Sequence, residues 1–253
     1  MNKLRRVTEA EVVAEFLKNE FYEPEFHRDR KRFERLVVEA DLTNETENAL
    51  RLALLFRRRA ILWRELPSDT QWWEVQLEPA DVNKVRVFPR AQWRRLASGS
   101  FLATDVVDRL RRAQVRERSS GFYSKIQSLS YRLRQESDNS SVMLIATDPQ
   151  SLSTLIEGNH RFTAAMLAGS DLVTQRFRVY CGFSPRMTEC CWYKTSLPNL
   201  WRYAKNRFRN IVDKEADVER VLAATAQRTP APATASAGQA GTTALAQKAT
   251  ELK

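Results

Sequence analysis

The sequence predicts a mixed α/β (α+β) fold, in which a small mixed sheet lies between a helical N-terminal region and a helical C-terminal region. Apolar segments of strand length, of which residues 142–146 (VMLIA) are the most apolar, occur between residues 72 and 182. Segments with apolar residues at helical spacing precede and follow them. The chain has 253 residues, of which 43% are hydrophobic, so it can bury a sizeable core.

Changes in composition divide the chain into four predicted regions. Residues 1–70 form a helical N-terminal region, residues 71–183 the α/β domain, and residues 184–224 a helical C-terminal region. Residues 225–253 consist mainly of Ala, Thr, Gln, Pro and Gly and contain no aromatic residue. Such a segment cannot bury apolar surface, and we predict a disordered tail.

Three helices are predicted in the N-terminal region. Thr8 and Glu11 have the spacing of a capping box and precede apolar residues at helical spacing, which indicates the first helix. The second helix covers residues 25–39, and the third runs from about residue 44 to residue 66. Residues 57–59 (RRR) lie on the third helix, where a solvated face is the simplest interpretation.

The α/β domain is predicted to alternate strands and helices. Its predicted strands are residues 72–77, 85–88, 142–146, 152–156 and 177–182. Its predicted helices are residues 91–96, 104–118, 122–135 and 162–167. A last helical segment is predicted over residues 198–222.

Several classes of protein are not expected. The chain has no apolar run long enough to span a membrane and no visible signal peptide, so we predict a cytoplasmic protein without a membrane partner. Three cysteines do not form a disulfide framework, and two histidines without metal-ligand spacing do not indicate a zinc site. The net charge of +10 favours phosphate-bearing partners without naming one. The oligomeric state stays open.

Residues 155–169 (LIEGNHRFTAAMLAG) are the segment with a chemical signature. A strand ends, Gly158 turns the chain, and a helix begins a few residues later. Backbone N–H groups at a helix start attract anions, and Asn159, His160 and Arg161 stand at that point. We therefore predict that residues 158–161 bind phosphate. The alternative is a tight turn whose His and Arg side chains cap a neighbouring element.

This pattern resembles the ParB/sulfiredoxin superfamily. The likeness is specific over residues 157–165 and covers roughly residues 72–182 more loosely. In that superfamily a GxxR or GxHR turn at a helix start holds nucleotide phosphates. The resemblance implies a nucleotide partner, ATP or CTP with Mg²⁺, held by Gly158, Asn159, His160 and Arg161.

The resemblance only partly separates the activities of the superfamily. The nucleophilic cysteine of sulfiredoxin is Asn159 here, and the ENxxR motif of CTP-binding ParB proteins is not found between residues 72 and 150. The free serine kinases carry a DGHHR-like motif whose acidic position is Glu157. By this likeness Glu157 is a candidate for Mg²⁺ binding and catalysis, and His160 for acid/base catalysis.

Other acidic residues could assist Glu157, although a solvated carboxylate is the simpler interpretation for each. They are Glu74, Glu78 and Asp81. The leading function is therefore a nucleotide-binding protein, for which a Mg²⁺-dependent phosphotransferase or nucleotide hydrolase is the activity considered. The alternatives are a basic DNA- or RNA-binding module without catalysis and a ParB-like nuclease, which would need more metal-binding carboxylates than we can place.

The last helical segment carries the candidate residues for nucleic-acid binding. They are Arg202, Lys205, Arg207 and Arg209, which interleave with aromatic residues such as Trp201 and Phe208. The alternative is an amphipathic helix with a basic outer face and an aromatic face packed on the core.

Overall fold

A computed structural model describes residues 1–97, 99–113, 121–135, 140–212, 218 and 220–223. In these residues a six-stranded mixed sheet has helices on both of its faces, which confirms the predicted α/β (α+β) class. The predicted tail, residues 225–253, lies outside the described residues, as do residues 114–118 of the predicted helix 104–118. The described helices include none that is long and apolar enough to cross a membrane.

The strands are β1 (Asn2–Arg6), β2 (Gln71–Gln76), β3 (Val85–Arg86), β4 (Ser141–Ala146), β5 (Ser153–Glu157) and β6 (Arg178–Phe183). The α-helices are α1 (Glu9–Glu20), α2 (Arg30–Val38), α3 (Glu45–Arg64), α4 (Pro79–Val82), α5 (Ala91–Ala97), α6 (Ala103–Ala113), α7 (Gly121–Gln135), α8 (Asn159–Ala168), α9 (Ser170–Arg176) and α10 (Leu197–Val212). Short 3₁₀ helices lie at Pro24–Phe26 and Pro185–Glu189.

The strand order across the sheet is β1-β2-β6-β4-β5-β3. The pairs β6–β4 and β5–β3 are parallel, and the other neighbours are antiparallel. Side chains alternate between the faces of a sheet, so Val142 and Leu144 face one core while Met143 and Ile145 face the other. Strand β4 is buried on both faces, which explains its unbroken apolar sequence.

Each face of the sheet has its own set of helices. Helices α5–α9 pack on one face, where Ile126 and Phe162 are buried. Helices α1–α3 cover the other face, where Phe16 and Leu54 are buried together with Tyr180 of the sheet. Residues 1–70 thus supply the helices α1–α3 of this layer, and Met187 and Trp192 of the C-terminal region add to its core.

The N-terminal region is not entirely helical, because residues 2–6 form the edge strand β1 beside β2. All five side chains of β1 are exposed and three of them are basic, so the alternation of apolar and polar residues that indicates a strand is missing. Backbone pairing with β2 and the ion pair between Arg5 and Glu74 hold the strand in place.

The predicted N-terminal helices are present with altered boundaries. The Thr8 hydroxyl accepts a hydrogen bond from the Glu11 N–H at 3.2 Å, which confirms the predicted cap of the first helix. The predicted helix 25–39 is instead a 3₁₀ turn followed by α2, and α3 is kinked at Arg59. Helix α8 begins at Asn159, three residues earlier than predicted, which places the GNHR residues in its first turn.

Candidate functional site

The turn between β5 and α8 requires a glycine. Gly158 has φ 82° and ψ 17°, a left-handed conformation that side chains with a Cβ rarely adopt. A Cβ placed on Gly158 would lie 2.6 Å from Cγ1 of Val142 on the neighbouring strand β4. The glycine therefore lets the chain turn sharply while β5 stays close to β4.

Helix α8 opens with unsatisfied backbone donors. Its first intrahelical hydrogen bond runs from the Phe162 N–H to the Gly158 carbonyl at 2.9 Å. The N–H groups of Asn159, His160 and Arg161 precede that bond, so they have no acceptor within the helix. Gly158 has no side chain with which to cap them. This helix start carries a positive partial charge of the kind that attracts anions.

A cavity of about 500 Å³ lies in front of this helix start. Residues of α1, α3, α7 and α10 and of the segment between β3 and α5 complete its walls. The lining contains more cations than anions. The cations are Arg57, Arg59, Arg90, Lys125 and Arg161, and the anions are Glu20, Glu23 and Glu157.

Arg161 is engaged inside the protein. Its Nη2 atom donates to both carboxylate oxygens of Glu157, each at 2.8 Å, and to the Ser141 carbonyl at 3.1 Å. Asn19 closes the network, because its amide donates to Glu157 at 2.9 Å and accepts from Arg161 at 3.2 Å. The predicted phosphate-binding cation thus neutralises a neighbouring carboxylate. Asn19 was missed in the sequence because it lies 138 residues before its partner Glu157.

Glu157 is placed poorly for a metal ion. Burial raises the pKa of its carboxyl to about 7, against the opposing effect of Arg161, and its side chain is only 7% exposed. Both oxygens are taken up by Arg161, with Asn19 as a further donor to one of them. Among the residues that the structure describes, no three potential ligands lie together as a metal site. These residues do not fit a resident Mg²⁺ at Glu157.

The three other acidic candidates lie far from this turn, at the edge of the sheet beside β1. Each carboxylate has a partner there. Glu74 pairs with Arg5, Glu78 accepts from Asn2, and Asp81 pairs with the amino group of Met1. They are structural contacts of the N-terminal strand.

His160 contributes an aromatic ring. The imidazole packs against the rings of Trp93 and Phe122, with centroid distances of 5.1 and 5.3 Å, and these two rings also contact each other at 5.1 Å. Burial, together with the charges of Lys125 and Arg161, lowers the pKa of His160 to about 4. The imidazole is therefore neutral at pH 7, and the geometry does not support the predicted acid role.

Asn159 also has a structural partner. Its Oδ1 atom accepts the backbone N–H of Phe88 at 2.7 Å, which ties the segment after β3 to the start of α8. The side chain of Asn159 thus holds one wall of the cavity, and its backbone N–H is what remains for a ligand.

The other cations of the cavity differ in how well they are paired. Arg57 pairs with Asp29 at 2.9 Å but stays 44% exposed, as the solvated face predicted for residues 57–59 requires. Arg59 pairs with Glu20 and Glu25 and is only 25% exposed, so it does not belong to that face. Lys125 lies 3.8 Å from Glu23, near the limit of an ion pair.

Arg90 is an exposed cation of this cavity, and no described carboxylate lies within ion-pair distance of it. Its guanidinium stacks on the Trp192 ring at 4.1 Å. It also lies 3.5 Å from the hydroxyl of Tyr203 on α10.

No family model, no curated protein and no solved structure matches this chain. The likeness of residues 157–165 to the ParB/sulfiredoxin superfamily therefore stays a prediction.

Helix α10 carries the four candidate residues for nucleic-acid binding and presents two aromatic rings to solvent. Trp201 is 78% exposed and Phe208 is 70% exposed, so these two rings do not pack on the core. Tyr203 does pack there, against Trp192 with ring centroids 5.3 Å apart, so the alternative of an aromatic face packed on the core holds for Tyr203. Polar contacts also hold the helix, since Asn199 is buried and Asn206 donates to Glu65 at 2.8 Å.

The basic residues of α10 flank these exposed rings. Lys205, Arg207 and Arg209 are exposed, while Arg202 pairs with Glu189 at 2.8 Å. Helix α10 contains no acidic residue.

Proposed function

We propose that the cavity at the start of α8 binds a nucleotide through its phosphates. The observation that carries this proposal is the combination of an uncapped helix N-terminus and the unpaired cation Arg90 in one cavity of about 500 Å³. This volume is within the usual range for small-molecule sites. The similarity of residues 157–165 to the ParB/sulfiredoxin turn supports the same ligand class.

Each part of the cavity has a role in this proposal. The backbone N–H groups of residues 159–161 donate to phosphate oxygens, and Arg90 and Lys125 supply positive charge. Phe88 and Trp93 form an aromatic wall against which a base can pack. Arg161 and Glu157 hold the turn in shape through their mutual ion pair.

The proposal is for binding, with Mg²⁺ carried on the phosphates of the nucleotide, a common mode for this ion. Phosphoryl transfer, nucleotide hydrolysis or nuclease activity would need a metal-binding or acid–base group at the reacting atoms. Glu157 is occupied by Arg161, and His160 is neutral and packed against the rings of Trp93 and Phe122. We therefore assign neither residue a catalytic role.

Thermal-shift and calorimetric titrations with ATP and CTP, each with and without Mg²⁺, test this function. A ligand that binds only the folded protein raises its melting temperature as its concentration exceeds Kd. We expect Arg90→Gln and Lys125→Gln each to weaken binding by about tenfold, the effect of losing roughly one charge-assisted hydrogen bond. Arg35→Gln, which changes an exposed arginine remote from the cavity, is the matched control.

Arg90→Lys separates charge from stacking, since it keeps the cation but loses the planar group that lies on Trp192. Unchanged affinity in both Arg90→Gln and Lys125→Gln, or the lack of a shift with any nucleotide, would contradict the proposal.

We propose as a second candidate function that α10 binds single-stranded nucleic acid. The exposed rings of Trp201 and Phe208 can stack on bases, while Lys205 and Arg207 contact phosphates. The absence of acidic residues on α10 suits a polyanionic partner and opposes self-association through this helix.

Fluorescence anisotropy with a labelled oligonucleotide tests this second function. Affinity should fall steeply with salt, and Trp201→Ala should cost about 1–3 kcal/mol of binding free energy. Tyr131→Ala is the control, since this exposed aromatic residue lies on α7. Equal binding by the two variants would exclude α10 as the binding surface.

A further inference from the structure

A second, smaller cavity lies at the β3 edge of the sheet. It measures about 220 Å³ and is bounded by β3, residues 99–101 and residues 192–195. Arg86 and Thr154 are direct partners in the parallel β3–β5 pair, so their side chains lie side by side on one face of the sheet. Trp192 adds its indole to the same space.

Arg86 has no counter-charge in this cavity. Its Nε and Nη2 atoms are buried and have no hydrogen-bond partner in the described protein. No carboxylate of a described residue lies within ion-pair distance, and the residues that line the cavity include no acid. The Tyr193 ring packs against the guanidinium at 4.7 Å, and burial lowers the pKa of Arg86. An arginine buried in this way is costly unless an anion neutralises it.

Two further polar groups in the cavity also lack partners. The Thr154 hydroxyl and the Trp192 indole N–H are buried, and neither makes a hydrogen bond with any part of the protein that the structure describes. Thr154 as a residue is 1% exposed and Trp192 is 6% exposed. Buried polar groups nearly always find a partner. Three unpartnered side chains around one cavity, all able to donate, indicate a ligand that accepts hydrogen bonds.

The backbone of the neighbouring loop is strained. Phe101 has φ 57°, a left-handed conformation that is unusual for a residue other than glycine. Its carbonyl accepts the Val87 N–H at 2.8 Å, which holds the loop against the strand region beside Arg86. Strain of this kind is concentrated at ligand sites.

We propose that this cavity is a binding site for a small oxyanion, a carboxylate or a phosphate group. The Nε and Nη2 atoms of Arg86 form a two-pronged edge that matches two oxygens of such a group. The Thr154 hydroxyl and the Trp192 N–H then donate to the same ligand. The volume is below the usual range for drug-sized ligands, which limits the occupant to a small molecule or to one acidic group of a larger one.

The site is separate from the nucleotide cavity and does not rest on its function. The aromatic pair Phe88 and Trp192, with ring centroids 5.0 Å apart, lies between the two cavities. Arg90 stacks on Trp192 and lines the larger cavity, whereas Arg86 lines the smaller one.

Titrations with inorganic phosphate and with acetate, at constant ionic strength in chloride, test the site by calorimetry and thermal shift. We expect at least one of the two anions to stabilise the wild type, and Arg86→Gln to weaken that anion by at least about tenfold. Arg35→Gln, which changes an exposed arginine that lines neither cavity, should keep the response. A preference for acetate would assign a carboxylate ligand, and a preference for phosphate would assign a phosphoryl group.

Two milder variants keep the test decisive if Arg86→Gln does not fold. Trp192→Phe removes the N–H but keeps a ring, and Thr154→Val removes the hydroxyl but keeps the shape. Each should weaken the anion about threefold to tenfold, the effect of one hydrogen bond. The proposal is overturned if neither anion stabilises the wild type, since water then satisfies these donors. It is also overturned if the response survives the changes at Arg86, Thr154 and Trp192 but is lost in Lys125→Gln.

Discussion

The turn at α8 and the cavity at β3 place an arginine in opposite circumstances. Arg161 belongs to the GNHR sequence that predicts phosphate binding, yet Glu157, Asn19 and the Ser141 carbonyl engage its guanidinium. Arg86 occupies an ordinary position in a two-residue strand, yet its buried Nε and Nη2 atoms have no partner among the residues that the structure describes.

The contrast between Arg161 and Arg86 shows that a charged residue in a recognisable motif need not face the ligand. A cation that is neutralised within the fold holds the fold together, and its loss exposes a buried opposite charge. A cation that the fold leaves unneutralised destabilises the protein until an anion arrives. Stability measurements on the two arginines should therefore move in different directions.

The largest expected effect is the contrast between Arg161→Ala and Arg86→Met. Arg161→Ala leaves the buried Glu157 carboxylate without its cation and should lower the free energy of unfolding by about 3–5 kcal/mol. Arg86→Met removes an unpaired buried charge and should change it by less than about 1 kcal/mol, or raise it. Urea unfolding at low anion concentration and pH 9, above the pKa of about 7 of the Glu157 carboxyl, measures both.

The double variant Glu157→Leu/Arg161→Met is the control for this contrast. It removes both charges and should be more stable than Arg161→Ala. A loss of stability in Arg86→Met as large as that in Arg161→Ala would abolish the distinction between the two arginines.

The next effect compares glycines at the two regions. Gly158 at the α8 turn and Gly99 beside the β3 cavity both have positive φ, but only a Cβ at Gly158 would meet a neighbouring atom, Val142 Cγ1 at 2.6 Å. Gly158→Ala should cost about 3 kcal/mol through strain and overpacking, and Gly99→Ala about 1 kcal/mol through strain alone. Thermal unfolding of the two variants checks this, and equal costs would show that β4 yields to the added methyl group.

A smaller effect concerns the pH dependence contributed by His160. Its pKa falls from 6.5 to about 4 on folding, so the unfolded chain binds the proton more tightly between these values. The stability that the neutral imidazole contributes is present above pH 6.5 and is lost as the pH falls toward 4. Relative to His160→Gln, the wild type should lose about 3 kcal/mol between pH 7 and pH 4. Urea unfolding at both pH values tests this, and a constant difference would show that the imidazole is solvated.

The smallest effect compares one polar side chain from each region. Asn19→Ala removes a donor to the buried Glu157 carboxylate and should cost about 1.5 kcal/mol. Thr154→Val removes a hydroxyl that has no partner in the described structure and should change stability by less than about 0.5 kcal/mol. Urea titration resolves these values, and a larger loss in Thr154→Val would show that its hydroxyl is already satisfied.

Local patterns predicted most of the fold, because local patterns reflect local forces. Strand β4 and the Thr8 cap were both predicted, because burial on two faces requires consecutive apolar residues and capping requires a polar residue just before the helix. Strand β1 was missed because an exposed edge strand needs no apolar face. The outward direction of Trp201 was left open, because a helix with an aromatic stripe does not reveal which face the rest of the molecule covers.

The sequence located the candidate site but did not indicate which side chains pair with one another there. Residues 158–161 do line a cavity at a helix start, as their sequence indicated. The side chains expected to bind the ligand make hydrogen bonds within the protein instead. Asn159 accepts from the Phe88 N–H, and Arg161 donates to Glu157. The cation Arg90 was not singled out, because it lies 69 positions before Asn159 in the chain and nothing in its neighbours marks it.

By itself, the sequence determined the strand–glycine–helix geometry at Gly158, because the left-handed backbone and the helix start depend on a few consecutive residues. Only the tertiary structure decided which charges meet. It brought Asn19 to Glu157 and set Arg86 beside Thr154 and Trp192 with no carboxylate in reach. Charge pairing depends on distance in space, and residues far apart in the chain acquire a distance only when the sheet and its two helical layers assemble.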